Sequence, residues 1–342
     1  MEPVAALQRV AYLLEAKDEP TFKVKAFRRA AGVIAELDPE RVVSLAAAGR
    51  LEDLAGIGKT TAQVVAESVA GATPAYLAQL EGERPPPPEG EVGGLFAALL
   101  GDCHSHSDWS DGGSPIAEMA EAARDRGLAY LVLTDHSPRL TVAHGLSPER
   151  LVEQLGIVAS VNESLSPFRL LSGIEVDILE DGSLDQDPGL LGALDLVVAS
   201  VHSKLRMESR PMTARMLRAI ESPHTDILGH CTGRLIAGKG RPPSAFDADA
   251  VFAACARTGT AVEINSRPDR RDPPHELLCR AIEAGCLFAI DSDAHAPGQL
   301  EWPLNGCEQA VEAGVTRERV VNTWGVDRLL AWTAGHGAGA SA

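Results

Sequence analysis

Aromatic side chains are scarce in this sequence, at 4% of 342 residues, so any core must be filled by Leu, Val, Ile and Ala, which the 45% apolar content can supply. No CxxC pair occurs among the six cysteines, Cys103, Cys231, Cys255, Cys279, Cys286 and Cys307. That scatter argues against a disulfide framework and against a thiolate zinc site, and it predicts reduced, mostly buried thiols. No apolar run is long enough to cross a bilayer, and the opening MEPVAALQRV lacks the basic and apolar stretches of a signal peptide, so a cytoplasmic location is expected. Positive charge is short as well. Lys and Arg number 31 against 48 Asp and Glu, a net charge of −17. Broad non-specific binding to nucleic acid is therefore disfavoured, although local basic patches are not. A centre built from carboxylates and loaded with cations would offset part of this formal charge.

What is present falls into two parts. ERPPPPEGEVGG, residues 83–94, combines a polyproline II signal with loosening glycines. It divides a unit of residues 1–84 from a unit of residues 95–333, with 85–94 as linker and 334–342 as a disordered tail. The first unit reads as all helical. In FKVKAFRRAAGVIAEL, Phe27, Ala30, Ala31 and Ile34 share one face with Val24 at its edge, and Lys25, Arg28 and Arg29 lie opposite. In LEDLAGIGKTTAQVVAESVAG, Gly56, Ile57 and Gly58 separate two amphipathic segments, the shape of a helix-hairpin-helix turn. The second unit alternates strand-like runs with helical stretches such as SPIAEMAEAARDRG and DADAVFAACARTG. Repeated βα units over about 240 residues suit a (β/α) barrel.

The ends of those strand-like runs carry the chemistry. GDCHSHS ends on His104 and His106, LVLTDHS on Asp135 and His136, and LLSGIEVDI carries Glu175 and Asp177. VVASVHS ends on His202, DILGH on His230, TAVEIN on Glu263 and Asn265, and FAIDSDAH on Asp293 and His295. In a barrel these ends meet on one face, where such folds place their sites. Residues i and i+2 of a strand point the same way, so His104 and His106 can grip one ion. A single strand-end histidine is more often a satisfied core residue than a ligand. This many ionisable groups buried together without cations would be very costly. Imidazole and carboxylate without thiolate suit Zn, Mn or Fe.

In concert, DCHSHSDWSDG, LVLTDHS, GIEVDI, ASVHS, DILGHCTGR, EINSRPDR and IDSDAH resemble the motifs of the PHP (polymerase and histidinol phosphatase) family, and most closely those of its branch in bacterial family X DNA polymerases. The resemblance covers about residues 97–330. It implies a distorted (β/α)7 barrel with three divalent metal ions. His104, His106, Glu175 and Asp293 would hold one, and Asp111, His136 and His295 a second. Glu175, His202 and His230 would hold the third, with Glu175 bridging. Glu175, Asp293 and His106 lie at the heart of the implied catalysis, hydrolysis of a phosphate ester by water that the ions acidify. Asp102 and Asp135 adjoin ligand histidines and are expected to orient them. Lys204, Arg234 and Arg270 follow strand ends and are candidates for binding substrate phosphate.

The first unit resembles the N-terminal 8 kDa domain of the same polymerases through FKVKAFRRAAGVI and LAGIGKTTAQ, which implies a grip on DNA near a 5′ phosphate. Gly56, Gly58 and Lys59 at the turn, with Lys25, Arg28 and Arg29, are the expected contacts. Val64 stands where lyase-active relatives carry a Schiff-base lysine, so no lyase activity is expected, and the polymerase palm and fingers are missing. The expected function is a metal-dependent phosphoesterase for DNA ends, a 3′–5′ exonuclease or 3′-phosphatase. The alternatives are a phosphatase for a small metabolite such as histidinol phosphate, favoured by the acidic charge, and a non-catalytic repair adaptor, which the full ligand set argues against.

Overall fold

The computed structural model describes residues 1–338, and the chain forms two compact units that divide between Pro87 and Pro88. The first unit, Met1–Pro87, holds α1 (Pro3–Ala16), α2 (Thr21–Ala35), α3 (Pro39–Ala47), α4 (Lys59–Val69) and α5 (Ala75–Gly82). Leu7, Val10, Ala11 and Leu14 of α1 repeat at helical spacing and are buried against Phe27, Ala30, Ala31 and Ile34 of α2 and Val64 and Val65 of α4. Gly56 precedes α4 at φ +97°, a backbone that L side chains rarely adopt, and a Cβ there would stand 3.0 Å from Arg29 Cδ.

The second unit begins with α6 (Gly90–Ala98). This corrects the expected linker: the glycines of residues 90–94 open a helix, because Leu95 buries in the barrel's outer apolar layer and Ala98 is buried as well. There follow β1 (Gly101–Ser105), α7 (Ile116–Asp125), β2 (Tyr130–Leu133), α8 (Pro148–Leu165), β3 (Arg169–Asp177), α9 (Pro188–Leu191), β4 (Leu196–Ser200), α10 (Ser209–Ile220), β5 (Ile227–Leu228), α11 (Ala248–Thr258), β6 (Ala261–Asn265), α12 (His275–Ala284), β7 (Phe288–Asp291), α13 (Pro303–Ala313) and α14 (Val326–Ala338). The expected tail is corrected in part: residues 334–338 belong to α14, and 339–342 lie outside the described residues. Among the described residues no helix is long and apolar enough to cross a membrane.

The strands pair in parallel in the order β1 to β7. Most are buried at every position, as expected where helices cover one face and the barrel interior the other. Tyr130, Val132, Leu196, Val198, Ile227 and Ala261 form the inner core, while Val197, Ala199, Val262 and Ile264 pack outward. Gly101 admits the Tyr130 ring, which would stand 2.0 Å from a Cβ at that position. The ring of strands nearly closes. Ser105 bridges Ala294, and His106 N donates to Ala294 O at 2.7 Å. Lower down, two carboxylates replace ladder bonds: Ser292 N donates to Asp102 Oδ2 at 3.1 Å, and Cys103 N to Asp291 Oδ1 at 2.9 Å. All six cysteines are free thiols, and five are buried.

Candidate metal centre

A one-residue bulge in β1 aims the first two histidines. Gly101 pairs with Tyr130 and Asp102 with Leu131, yet the next pair is Ser105 with Leu133, so three residues of β1 advance against two of β2. Cys103 thereby joins the inner core with Tyr130, and beyond the bulge His104 and His106 face the barrel axis too. Side-chain parity on a strand reverses with a single-residue shift, and strict alternation would have put those imidazoles among the helices. At the opposite edge Asp293 takes φ +51°, a left-handed conformation at the turn that delivers both Asp293 and His295.

Glu175, at the end of β3 and 1% exposed, is the hub. Its Oε2 lies 3.3 Å from His104 Nε2, 3.6 Å from His106 Nε2 and 2.9 Å from His136 Nδ1. Its Oε1 lies 3.2 Å from His202 Nε2 and 2.8 Å from His230 Nε2. Asp293 Oδ1 is 3.3 Å from His106 Nε2 and 3.6 Å from His295 Nδ1. Asp111 Oδ1 is 3.3 Å from His136 Nε2 and 3.4 Å from His295 Nε2. All nine of the expected donors are thus brought together. Three overlapping groups have donor atoms within 4.8 Å of one another: His106, Asp111, His136 and His295; His104, His106 and Glu175; and His136, Glu175 and His202. His106 and His136 bridge these groups, a sharing the sequence did not suggest.

The residues fit metal ions. Both ring nitrogens of His106 and Nε2 of His104 are fully buried yet lack a hydrogen bond of good geometry. Buried polar atoms are seldom left so unless something else occupies them. Electrostatics agree. Burial would raise Glu175, but His202, His104 and His136 hold it well below the usual carboxylate range. Burial, with His295 and His136 nearby, pushes His106 down to about 3. Against the same burial, Glu175 and Asp111 lift His136 to about 10. The cluster sets three carboxylates, Asp111, Glu175 and Asp293, among six imidazoles, a donor chemistry suited to divalent cations.

Several expected roles are corrected. Asp102 does not orient an imidazole; its Oδ1 accepts from His104 N at 3.1 Å and both its oxygens from Ser292 N, stitching β1 to β7. Asp135 accepts from Ser107 N and Oγ, Ser110 Oγ and Gln154 Nε2, and so fixes the turn that leads to Asp111. Imidazoles are held instead by Glu263, against His104 Nδ1 at 2.6 Å, and by Asp177, against His202 Nδ1. Both carboxylates fall at i±2 spacing on strand ends, which was the available signal. Arg234 is not at the centre: its guanidinium donates to Arg270 O at 3.0 Å and to Arg271 O, shaping the loop after β6. Lys204 is exposed, 4.0 Å from Glu180 Oε1. Arg270 does reach in, with Nε 3.4 Å from Asp293 Oδ2 and with Nε and Nη1 buried and free of hydrogen-bond partners. Arg267, which the sequence did not single out, stands 3.8 Å from the same oxygen.

In the helical unit Arg28 is corrected too. It lies 2.9 Å from the buried Glu15 carboxylate and is spent on that pair. Gly58 N–H donates to Thr61 Oγ1 at 2.9 Å and Ile57 N–H to Leu54 O at 3.1 Å, so neither amide is open to a phosphate. Lys25, Arg29 and Lys59 are exposed.

The helix-hairpin-helix domain family matches residues 1–73, and the PHP domain family residues 102–267. A DNA polymerase/3′-5′ exonuclease, PolX, of Bacillus subtilis (strain 168) is 39% identical over 224 residues, 66% of this chain and 39% of its own length. A probable phosphatase of Thermoanaerobacter sp. (strain X514) is 30% identical over 240 residues, 66% of this chain and 91% of its own. A crystal structure of histidinol phosphate phosphatase from Lactococcus lactis, complexed with zinc, L-histidinol and phosphate, aligns with TM-score 0.46 at 16% identity over 64% of this chain and 95% of that one. The chain therefore spans less than half the length of its polymerase relative but nearly all of the phosphatase. With the motif-bearing barrel and the hairpin unit both matched, the chain belongs to the PHP-domain family, its barrel preceded by a helix-hairpin-helix domain.

Proposed function

We propose that the chain is a metal-dependent phosphoesterase acting on DNA ends, as a 3′–5′ exonuclease or 3′-phosphatase. The observation that carries the hydrolytic reading is the convergence of five imidazoles on Glu175 at a buried barrel mouth, with ring nitrogens left unsatisfied. His104, His106, Glu175 and Asp293 would hold one ion, Asp111, His136 and His295 a second, and Glu175, His202 and His230 a third. Bound divalent ions supply an acidified water, its pKa lowered from about 15.7 to about 7, and neutralise phosphoryl charge. The chain's own residues do the rest. Arg270, paired through Nε with Asp293, offers a buried Nη1 that has no hydrogen-bond partner, suited to an oxygen of a phosphoryl group. Glu263 and Asp177 fix imidazole orientation, and Asp135 fixes the turn leading to Asp111.

Support for DNA comes from the hairpin domain, from the exonuclease named in the Bacillus relative, and from where the cations fall. On a chain of net charge −17, Lys204 and Arg206 follow β4, Lys239 and Arg241 follow β5, and Arg267, Arg270 and Arg271 follow β6. Cations thus follow three adjacent strand ends, with Lys204, Arg267 and Arg271 paired there to Glu180, Asp269 and Glu308. The same overall charge, with the phosphatase relative's near-complete coverage, favours a small phosphate ester as the second reading.

Manganese-loaded protein incubated with a 3′-recessed duplex should release mononucleotides or 3′ phosphate. The combined Lys25→Glu, Arg29→Glu, Lys59→Glu variant should lose more than about tenfold of that rate yet keep hydrolysis of p-nitrophenyl phosphate. Raising salt from about 50 to about 200 mM should weaken only the DNA reaction by a comparable factor. Turnover confined to histidinol phosphate or p-nitrophenyl phosphate would install the second reading.

A further inference from the structure

Glu263, in β6, is fully buried and is not among the nine candidate metal donors. One carboxylate oxygen accepts from His104 Nδ1 at 2.6 Å. The other accepts from the backbone N–H of His230 and, at 3.2 Å, from Asn265 Nδ2. That same Asn265 amide donates to Asp293 Oδ2 at 3.1 Å. Three candidate donors from three separate parts of the ring, on β1, after β5 and after β7, therefore share one anchor. An imidazole that binds a metal is neutral and keeps one N–H. The nitrogen facing a carboxylate retains the proton and the other presents its lone pair. For His104 the second nitrogen is Nε2, buried, without a hydrogen-bond partner and 3.3 Å from Glu175 Oε2.

We propose that Glu263 is the positioning residue of the metal centre: it keeps the proton of His104 on Nδ1 and ties His104, His230 and Asp293 into one arrangement. The proposal rests on reading the cluster as a metal centre and is independent of which phosphate ester is cleaved. A second consequence concerns the neighbouring groups. Because Glu263 holds His230 by its main chain, losing the carboxylate disturbs donors on both sides of Glu175, and the effect should exceed that of losing one hydrogen bond to one imidazole.

The test uses the full chain and Zn²⁺ alone. Competition against a chelator should show that Glu263→Gln, which preserves shape and removes the charge, binds Zn²⁺ about 10–100-fold more weakly than wild type. The metal-free variant should melt within a few degrees of the metal-free wild type. Unchanged affinity overturns the proposal, as does a fall in metal-free stability with affinity unaltered. A further measurement needs no variant of Glu263. In Zn²⁺-loaded wild type, long-range proton–nitrogen spectra of the imidazoles, with His104 identified by its loss in His104→Gln, should place the His104 proton on Nδ1. A proton on Nε2 overturns the proposal even if Glu263→Gln does not fold. Wild-type protein that takes up no Zn²⁺ overturns the metal centre and this inference together, whereas failure of the Glu263 measurements alone leaves the metal centre standing.

Discussion

Arg270 holds a guanidinium against the carboxylate of Asp293 while two of its buried nitrogens have no hydrogen-bond partner. A group so placed is poised for an incoming anion. Arg270→Ala should lower kcat/KM for a phosphate ester by about 100-fold, roughly 2.7 kcal/mol, with metal content unchanged; Arg270→Lys should recover little, since an ammonium lacks the planar fork. Steady-state kinetics with parallel elemental analysis decide it, and wild-type kinetics in Arg270→Ala would remove the residue from the site. The contrast with Arg234 shows what residue type conceals. Both are arginines after strand ends, but Arg234 is turned onto backbone carbonyls of the neighbouring loop, a destination set by loop geometry that no local motif encodes. Eight of the nine candidate donors were legible because imidazoles and carboxylates recur at the ends of apolar runs; Asp111, in the turn after β1, was singled out only by the family resemblance. Glu263 and Asp177 were visible as strand-end acids, yet their task depends on which ring nitrogen they meet, and only the folded register fixes that.

At the level of elements, the helical unit separates two arginines that are adjacent in sequence. Arg28 neutralises Glu15, which is 4% exposed, while Arg29 lies over the Gly56 turn. Removing one partner of a fully buried pair costs roughly 3–5 kcal/mol. Because the Arg28 side chain is 21% exposed, Arg28→Ala should cost less, about 2 kcal/mol. Urea denaturation measures this, and DNA affinity below the transition should hardly change. Arg29→Ala should do the reverse, leaving stability within about 0.5 kcal/mol and weakening DNA binding. Equal effects of the two substitutions would show that the division is wrong. Helical periodicity had placed both residues on the polar face, and it could not register that Glu15 of α1 reaches across to one of them. The bulge in β1 was hidden for a similar reason: alternation along GDCHSHS looks regular, and the extra residue shows only against the partner strand. The helix over Gly90–Ala98 defeated composition, since burial of Leu95 and Ala98 outweighs the glycines' low propensity.

For the molecule as a whole, a buried cluster with this many carboxylates and imidazoles ties folding to cation supply. Each ion held at 1,000 times its Kd adds about 4 kcal/mol to stability. Calorimetry should therefore show a chelator-treated protein whose barrel melts lower than the manganese-loaded form, with a midpoint that climbs as free manganese rises. Coincident melting curves would argue against occupied sites in the native state. The two-part plan and the barrel class could be read from the proline run and the βα alternation. The near-closure of the ring through Asp102 and Asp291 could not, because it depends on side chains replacing main-chain bonds between the first and last strands.

That closure also sets a temporal order. Seven of the nine donors have left the ribosome by His230, but Asp293 and His295 come from beyond the seventh strand. A growing chain halted before them would carry most of the chelating groups without the enclosure that arranges them. Loading with metal would then be a late event, and an ion of higher intrinsic affinity would meet scattered imidazoles early but a shaped cage only at the end.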